Sequence, residues 1–226
     1  MIAYASNTGT KKNLAVMREA GWRILLTPDN PKPREGMRFA IDNGAWKARG
    51  IDLRPGQEQQ PFDGDGFTNL VEEHGGAADF VVVPDIVAGG MESLQFSLGW
   101  LSKGPLKNLV NLLLPVQDGM DVSAVGKVLR RYPYLGIFLG GSTEWKLRTM
   151  YGWGMVAAAM ARYYHVGRVN TVRRIRLCAE AGVSSFDGTS VTKFSCNLPM
   201  LETARQQPSL ITPAMCGTDW HPRQFV

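Results

Sequence analysis

The feature that most constrains this chain is an alternation. Eight short apolar runs of strand length lie at residues 2–4, 23–26, 38–41, 80–83, 110–114, 135–138, 164–166 and 184–186. Between most of them lie stretches with helical spacing, at 11–20, 67–74, 91–102, 122–131, 143–162 and 171–181. Several of these stop at a glycine (Gly21, Gly75, Gly182), where a left-handed closing residue is sterically cheap. Two stretches break the pattern. Pro28, Pro31 and Pro33 forbid a regular helix across 27–37, and the Gly-, Pro-, Gln- and Asp-rich segment 48–66 reads as a long loop over one end of the body. Strands buried on both faces belong to parallel sheets, and eight strand–helix units close such a sheet into a compact (β/α)8 TIM barrel, the α/β fold expected here. A doubly wound open sheet is the second reading. No linker divides the chain, so one domain is expected over 1–226, with 198–226, which holds Pro199, Pro208, Pro213 and Pro222, wrapping the barrel as a C-terminal tail.

Composition narrows the class. With 44% hydrophobic and 20% charged residues the chain has ample material for a core, which excludes disorder and collagen. No window approaches the roughly 20 apolar residues of a bilayer crossing, and MIAYASNTGT lacks the basic start and apolar run of a secretory signal. The expectation is a cytoplasmic protein with no membrane partner. Lys+Arg 25 against Asp+Glu 20 leaves +5, a balance drawn toward polyanions. Arg162, Arg168, Arg173, Arg174 and Arg176 fall close together, and Lys127, Arg130 and Arg131 form a second group; solvated helix faces and a phosphate-tracking surface both fit. Cys178, Cys196 and Cys216 make no CxxC pair or Cys/His ladder, so no structural metal is expected, and Cys178, inside RLCAEAGV, reads as packed core. His165 and His221 receive no role, and the aromatic and Met content of 145–160 reads as core packing.

In a parallel barrel the residues just past each strand converge on one mouth, so chemistry should gather there. Strand three runs into Asp42-Asn43-Gly44-Ala45-Trp46, strand four into Pro84-Asp85, and strand five into Pro115-Val116-Gln117-Asp118-Gly119. Strand six runs into Gly140-Gly141-Ser142, strand seven into Gly167-Arg168, and strand eight into Asp187-Gly188-Thr189. Taken singly, each aspartate is satisfactorily explained as a loop cap. Three carboxylates at one apolar-walled mouth repel one another when ionised, so at least one should be tuned for proton transfer or meet a donor-rich ligand. One carboxylate attacking an anomeric carbon while another handles the leaving group's proton is the division of labour of glycosyl transfer.

The order DNGAW, VVPDIV, LLPVQDG, IFLGGS and HVGRVNTVRRIRLCAEAGVSSFDG, running from about Ala40 to Thr189, resembles the tRNA-guanine transglycosylase family. That resemblance implies a barrel enzyme that exchanges guanine for a 7-deazaguanine base without a cofactor. It implies Asp187 as the nucleophile on C1′ and Asp42 as the acid/base for the departing and incoming bases. It further implies Asp85 as acceptor for the N1–H and 2-amino edge, Gln117 and the Gly140 and Gly141 amides as readers of O6, and Trp46 and Val166 as the two walls of the ring. Gly44, Gly140 and Gly141 would let backbone approach that ring, and Arg168, Arg173 and Arg174 would meet phosphates. The LPTR segment and the zinc-binding CxCxxC subdomain of the tRNA enzymes are absent, GTSVTK standing after the nucleophile motif. The chain is thus similar to the short phage type that inserts bases such as preQ0 into DNA and so blunts restriction enzymes. A tRNA substrate, a non-catalytic nucleic-acid-binding partner subunit and a glycoside hydrolase are the alternatives.

Overall fold

A computed structural model describes residues 1–48, 61–102 and 104–207. Eight parallel strands close into a barrel in sequence order: β1 (Ile2–Ser6), β2 (Arg23–Leu26), β3 (Phe39–Ile41), β4 (Val81–Val82), β5 (Leu112–Val116), β6 (Gly136–Leu139), β7 (Tyr164–Val166) and β8 (Ser185–Gly188). β8 closes the ring by pairing with β1, with Tyr4 opposite Asp187. The chain is therefore a (β/α)8 barrel. Every apolar run of the alternation forms a strand, with ends displaced by at most a few residues.

The helices are α1 (Lys11–Glu19), α2 (Ala45–Ala48), α3 (Gly64–His74), α4 (Gly90–Leu101), α5 (Val122–Arg131), α6 (Thr143–Ala159), α7 (Val172–Glu180), α8 (Ser190–Lys193) and α9 (Leu198–Gln206). Their starts follow local chemistry. Asp63, Asp121, Ser142 and Thr171 each accept a backbone N–H two or three residues into the following helix, satisfying one otherwise orphaned donor. Two of the sequence expectations need adjustment here. The long loop ends earlier, because Asp63 caps α3 and Gly64 to Gly66 form its first turn; most of that loop, 49–60, lies outside the described residues. The first part of the expected tail is the helix α9, whose Pro199 occupies the first turn, where the missing N–H does no harm. It buries Leu198, Leu201 and Ala204 and is tied to the body by Trp22 Nε1 on Glu202, 2.6 Å, and by Arg205 on the Met1 carbonyl, 2.9 Å. Residues 208–226 lie outside the described residues.

Strand periodicity divides the apolar residues into two layers. Residues facing outward, such as Ile24, Leu26, Ile41, Leu112, Leu114, Val166 and Phe186, pack under the helices in one large cluster. The inward set is smaller: Tyr4, Leu25, Ala40, Phe80, Val82, Leu113 and Tyr163 fill the barrel, with Phe138 beside them.

One glycine carries the close approach of α6 to the end of α7. A Cβ on Gly154 would collide with the Ala181 carbonyl oxygen, a backbone atom that cannot yield cheaply. Gly99 on α4 has open space around its missing Cβ. Gly154→Ala is therefore expected to lower stability by about 1–3 kcal/mol, because overpacking outweighs helix propensity. Gly99→Ala should raise it by up to about 1 kcal/mol. Thermal denaturation of the two variants beside the parent checks the opposite signs.

Candidate active site at the barrel mouth

The C-terminal ends of the strands surround a hollow of about 70 Å³ lined by Asp42, Asn43, Trp46, Asp85, Gln117 and Phe138 on one side of the rim and Gly140, Gly141, Gly167, Arg168 and Asp187 on the other. Strand alternation aims the key carboxylate: with Phe186 turned outward against Trp22, Ser185 and Asp187 on either side of it face the barrel interior. A larger hollow of about 230 Å³ lies at the opposite end, beside Arg38, Asp79 and Asn111. Asp79 there is fully engaged, taking Tyr4 at 3.0 Å, Arg23 at 2.9 Å and Arg38. The mouth, with three carboxylates and the convergent strand ends, is the place for chemistry in this fold.

Asp85 is held as a fixed acceptor. Asn43 Nδ2 donates to its Oδ1 at 2.8 Å and Gln117 Nε2 donates to its Oδ2. Asn43 also donates to the Val83 carbonyl and takes the Ala45 N–H, so it pins the loop after β3 to the end of β4. The Gln117 carbonyl oxygen takes the Ala88 N–H at 3.1 Å. Burial raises Asp85 to about 6 against the pull of those two amide donors. Among the described residues Asp42 takes the Asn43 N–H, 3.0 Å, on its Oδ1. Burial, then the charges of Asp187 and Asp85, raise it to about 7. A carboxyl poised there can both give and take a proton at neutral pH.

Asp187 has a different environment. Its Oδ1 accepts the Arg168 N–H at 3.1 Å, and its Oδ2 lies 3.0 Å from His165 Nε2. Arg168 has φ +60 and Ala88 has φ +58, unusual values for residues with a Cβ; both amides are thereby turned onto side-chain oxygens of the mouth. Lys146, buried in the first turn of α6, donates to the Gly167 carbonyl and fixes the same loop from behind. Burial and the neighbouring Arg168 charge lower its ammonium to about 7, with Asp187 pulling the other way.

The structure brings Asp42, Asp85, Asp187, Gln117, Gly140, Gly141, Trp46 and Arg168 to one hollow. A Cβ on Gly140 would meet Gln117 Nε2, and one on Gly141 would meet Asp118 Oδ2, so the room at both positions is taken by side chains of the loop after β5. Three expectations are corrected. Val166 does not wall the hollow: His165 points inward, so its neighbour must point outward, into the layer under the helices. Phe138 lines the hollow instead. Gly44, at φ +78, turns the chain against Pro28 and does not line it. The Gly140 N–H is bonded to the Val116 carbonyl at 3.0 Å and so does not face a ligand. Arg173 and Arg174 sit in the first turn of α7, beside the mouth and outside its lining. Trp46 is at the rim, but its ring is covered by the Arg168 guanidinium, whose Cζ is 3.7 Å from the indole centroid and whose Nη2 donates to the Gly141 carbonyl.

Sequence reasoning passed over Asn43, Lys146 and His165. Asn43 lies inside DNGAW and His165 opens HVGRV, so both motifs hold a signal; Lys146, between Trp145 and Leu147 in a helix with Glu144 and Arg148, has none. Cys178 is buried in the outer core, as expected. Among the described residues no group of three or more His, Cys, Asp or Glu is placed to hold a metal ion, and no helix is long and apolar enough to cross a membrane.

No family model and no curated protein matches the chain. Among solved structures it is similar to the crystal structure of a uronate isomerase from Bacillus halodurans C-125, at 9% identity and a TM-score of 0.43, over 88% of this chain. The chain spans about 60% of that neighbour's length.

Proposed function

We propose that this protein is a glycosyltransferase that exchanges guanine in DNA for a 7-deazaguanine base such as preQ0. The observation that carries the reading is the unequal treatment of two carboxylates at one mouth. Asp42 is raised to about 7 by burial and by its acidic neighbours, while Asp187 takes two donors, from His165 and the Arg168 amide. In the first displacement an Asp187 oxygen bonds C1′, the bond from C1′ to the base nitrogen breaks, and the Asp42 proton passes to the departing guanine. In the second, the incoming base loses its N–H proton to Asp42, its nitrogen bonds C1′, and the ester to Asp187 breaks. Configuration is retained and no redox or nucleotide cofactor enters the balance.

Asp85, locked by Asn43 and Gln117, offers carboxylate oxygens to the N1–H and 2-amino edge of the ring. The hollow of about 70 Å³ is well below the roughly 300–1,000 Å³ of ordinary small-molecule sites, so entry of a bicyclic base requires Arg168 to leave Trp46. The indole then stacks on the base, and the released guanidinium, with Arg173 and Arg174 beside it, is available to the phosphates of the extruded nucleotide. In a phage, DNA so modified would resist restriction enzymes.

The test is incubation with guanine-containing DNA and radiolabelled guanine or preQ0, without ATP. Label entering DNA is the expected result. Label entering tRNA alone would transfer the reading to the tRNA enzymes, and nucleic-acid binding without label would identify a non-catalytic subunit. Hydrolysis of a free glycoside would move the same carboxylates to sugar chemistry.

A further inference from the structure

Barrels of this fold are filled mainly with Val, Ile and Leu, yet part of this interior is polar, and the polar part is continuous. Behind Asp187 stands His165, fully buried, with Nδ1 2.7 Å from Ser185 Oγ. The Tyr163 hydroxyl is hydrogen-bonded to the side chains of both Ser185 and Tyr4, and Tyr4 donates to Asp79 Oδ2 at 3.0 Å. Arg23 closes the far end on Asp79 at 2.9 Å. The line runs from the carboxylate at the mouth to a carboxylate at the opposite end of the barrel.

We propose that His165, carrying its proton on Nε2, is the positioning residue for Asp187: it donates to the carboxylate and aims it, while its Nδ1 takes the hydroxyl proton of Ser185 behind it. This rests on the reading of Asp187 as nucleophile. An ionised carboxylate only accepts, so the His165 nitrogen facing it must donate. Nδ1 is then the acceptor, and Ser185 must give it the hydroxyl proton. Tyr4 commits its own proton to Asp79, which leaves the Tyr163 proton to be shared between the Ser185 and Tyr4 oxygens. The two carboxylates therefore draw the donors apart, one set toward each end. Reversing the imidazole would set a bare nitrogen lone pair against Asp187.

The ring is also confined. Phe138 stacks on it with centroids 5.0 Å apart and planes 15° from parallel, and Phe80 and Tyr4 stand at 5.0 and 5.9 Å. This aromatic box excludes water, and burial holds His165 below its ordinary range against the pull of Asp187. The other charged groups facing the pair are Asp42 and Lys146, with the Arg168 guanidinium at the rim. A donor that favours ionised Asp187 helps most in the second displacement, when the carboxylate is the leaving group.

Two measurements test the assignment. Nitrogen chemical shifts of the wild-type protein should show His165 neutral, with its proton on Nε2, from about pH 5.5 to 8. His165→Phe, which keeps the ring and loses the donor, should lower kcat about 10–100-fold and let the protein–DNA ester accumulate. His165→Gln, which restores a donor toward Asp187, should recover part of the rate and clear the ester. An Nδ1–H tautomer or an imidazolium in that range, or His165→Phe turning over like the wild type, would overturn the proposal. Should His165→Phe fail to fold, the tautomer and the glutamine variant still decide it. Absence of base exchange in the wild type would instead remove the transglycosylase reading, while the nitrogen shifts would still report whether the imidazole donates to Asp187.

Discussion

Asp187→Ala is expected to abolish both the proposed base exchange and its covalent adduct, with a fall in rate of at least about 10³-fold. Wild-type protein mixed with DNA and a slowly reacting base should give a band that survives denaturation; the alanine variant should give none. The expectation follows from position. Asp187 faces the hollow from β8, and its oxygens are oriented by His165 and the Arg168 amide. The adduct should also disappear when hydroxylamine cleaves the ester. If the band persists in Asp187→Ala, or vanishes only in Asp42→Ala, the two aspartates exchange roles.

Asp42→Asn gives the second large effect, and it has two signs. The proposed activity is expected to fall by about 10²–10⁴-fold, because asparagine can neither protonate a departing base nor accept the proton of an incoming one. Stability moves the other way at alkaline pH. A carboxyl held at about 7 in the fold, against an ordinary 3.8, keeps a proton that the unfolded chain has already released. Stability therefore declines as pH rises from about 4 through 7, and Asp85, at about 6, adds to the same trend. Asp42→Asn removes the larger part of it. Relative to the parent, its melting temperature should be unchanged near pH 4. At pH 8 it should be higher by about 4–8 °C, corresponding to on the order of 2 kcal/mol. The pH profile of the parent should show a basic limb near 7 that is absent from the variant's residual activity. A melting temperature that is equal or lower in Asp42→Asn at pH 8 would mean that Asp42 is not held protonated by the fold.

Much of the fold was legible in one dimension because its cause is local. Strands such as Leu112–Val116 and Arg23–Leu26 are short apolar runs, helices such as α5 announce themselves with an N-capping Asp and recurring apolar positions, and both signals survive without neighbours. The carboxylates were legible for a related reason: once eight strands are placed in a closed parallel ring, the residue after each strand has only one end of the barrel to occupy. Val166 shows where that reasoning stops. The family resemblance puts it against the ring, but a one-residue step along a strand reverses the side chain, and only the observed phase of β7 sends His165 inward and Val166 outward. The Gly140 amide failed likewise, because its use depends on β5 lying alongside at the Val116 carbonyl.

The sequence by itself determined the number and order of the barrel's strands and the end at which Asp42, Asp85 and Asp187 meet, since these depend on periodicity. The tertiary structure alone decided which groups each carboxylate meets and so what proton affinity it has: Asn43 and Gln117 on Asp85, little but acidic neighbours on Asp42, and a buried imidazole behind Asp187. Those contacts join residues far apart in the chain. Electrostatic energy depends on distance and burial in space, and neither is written in the order of the residues.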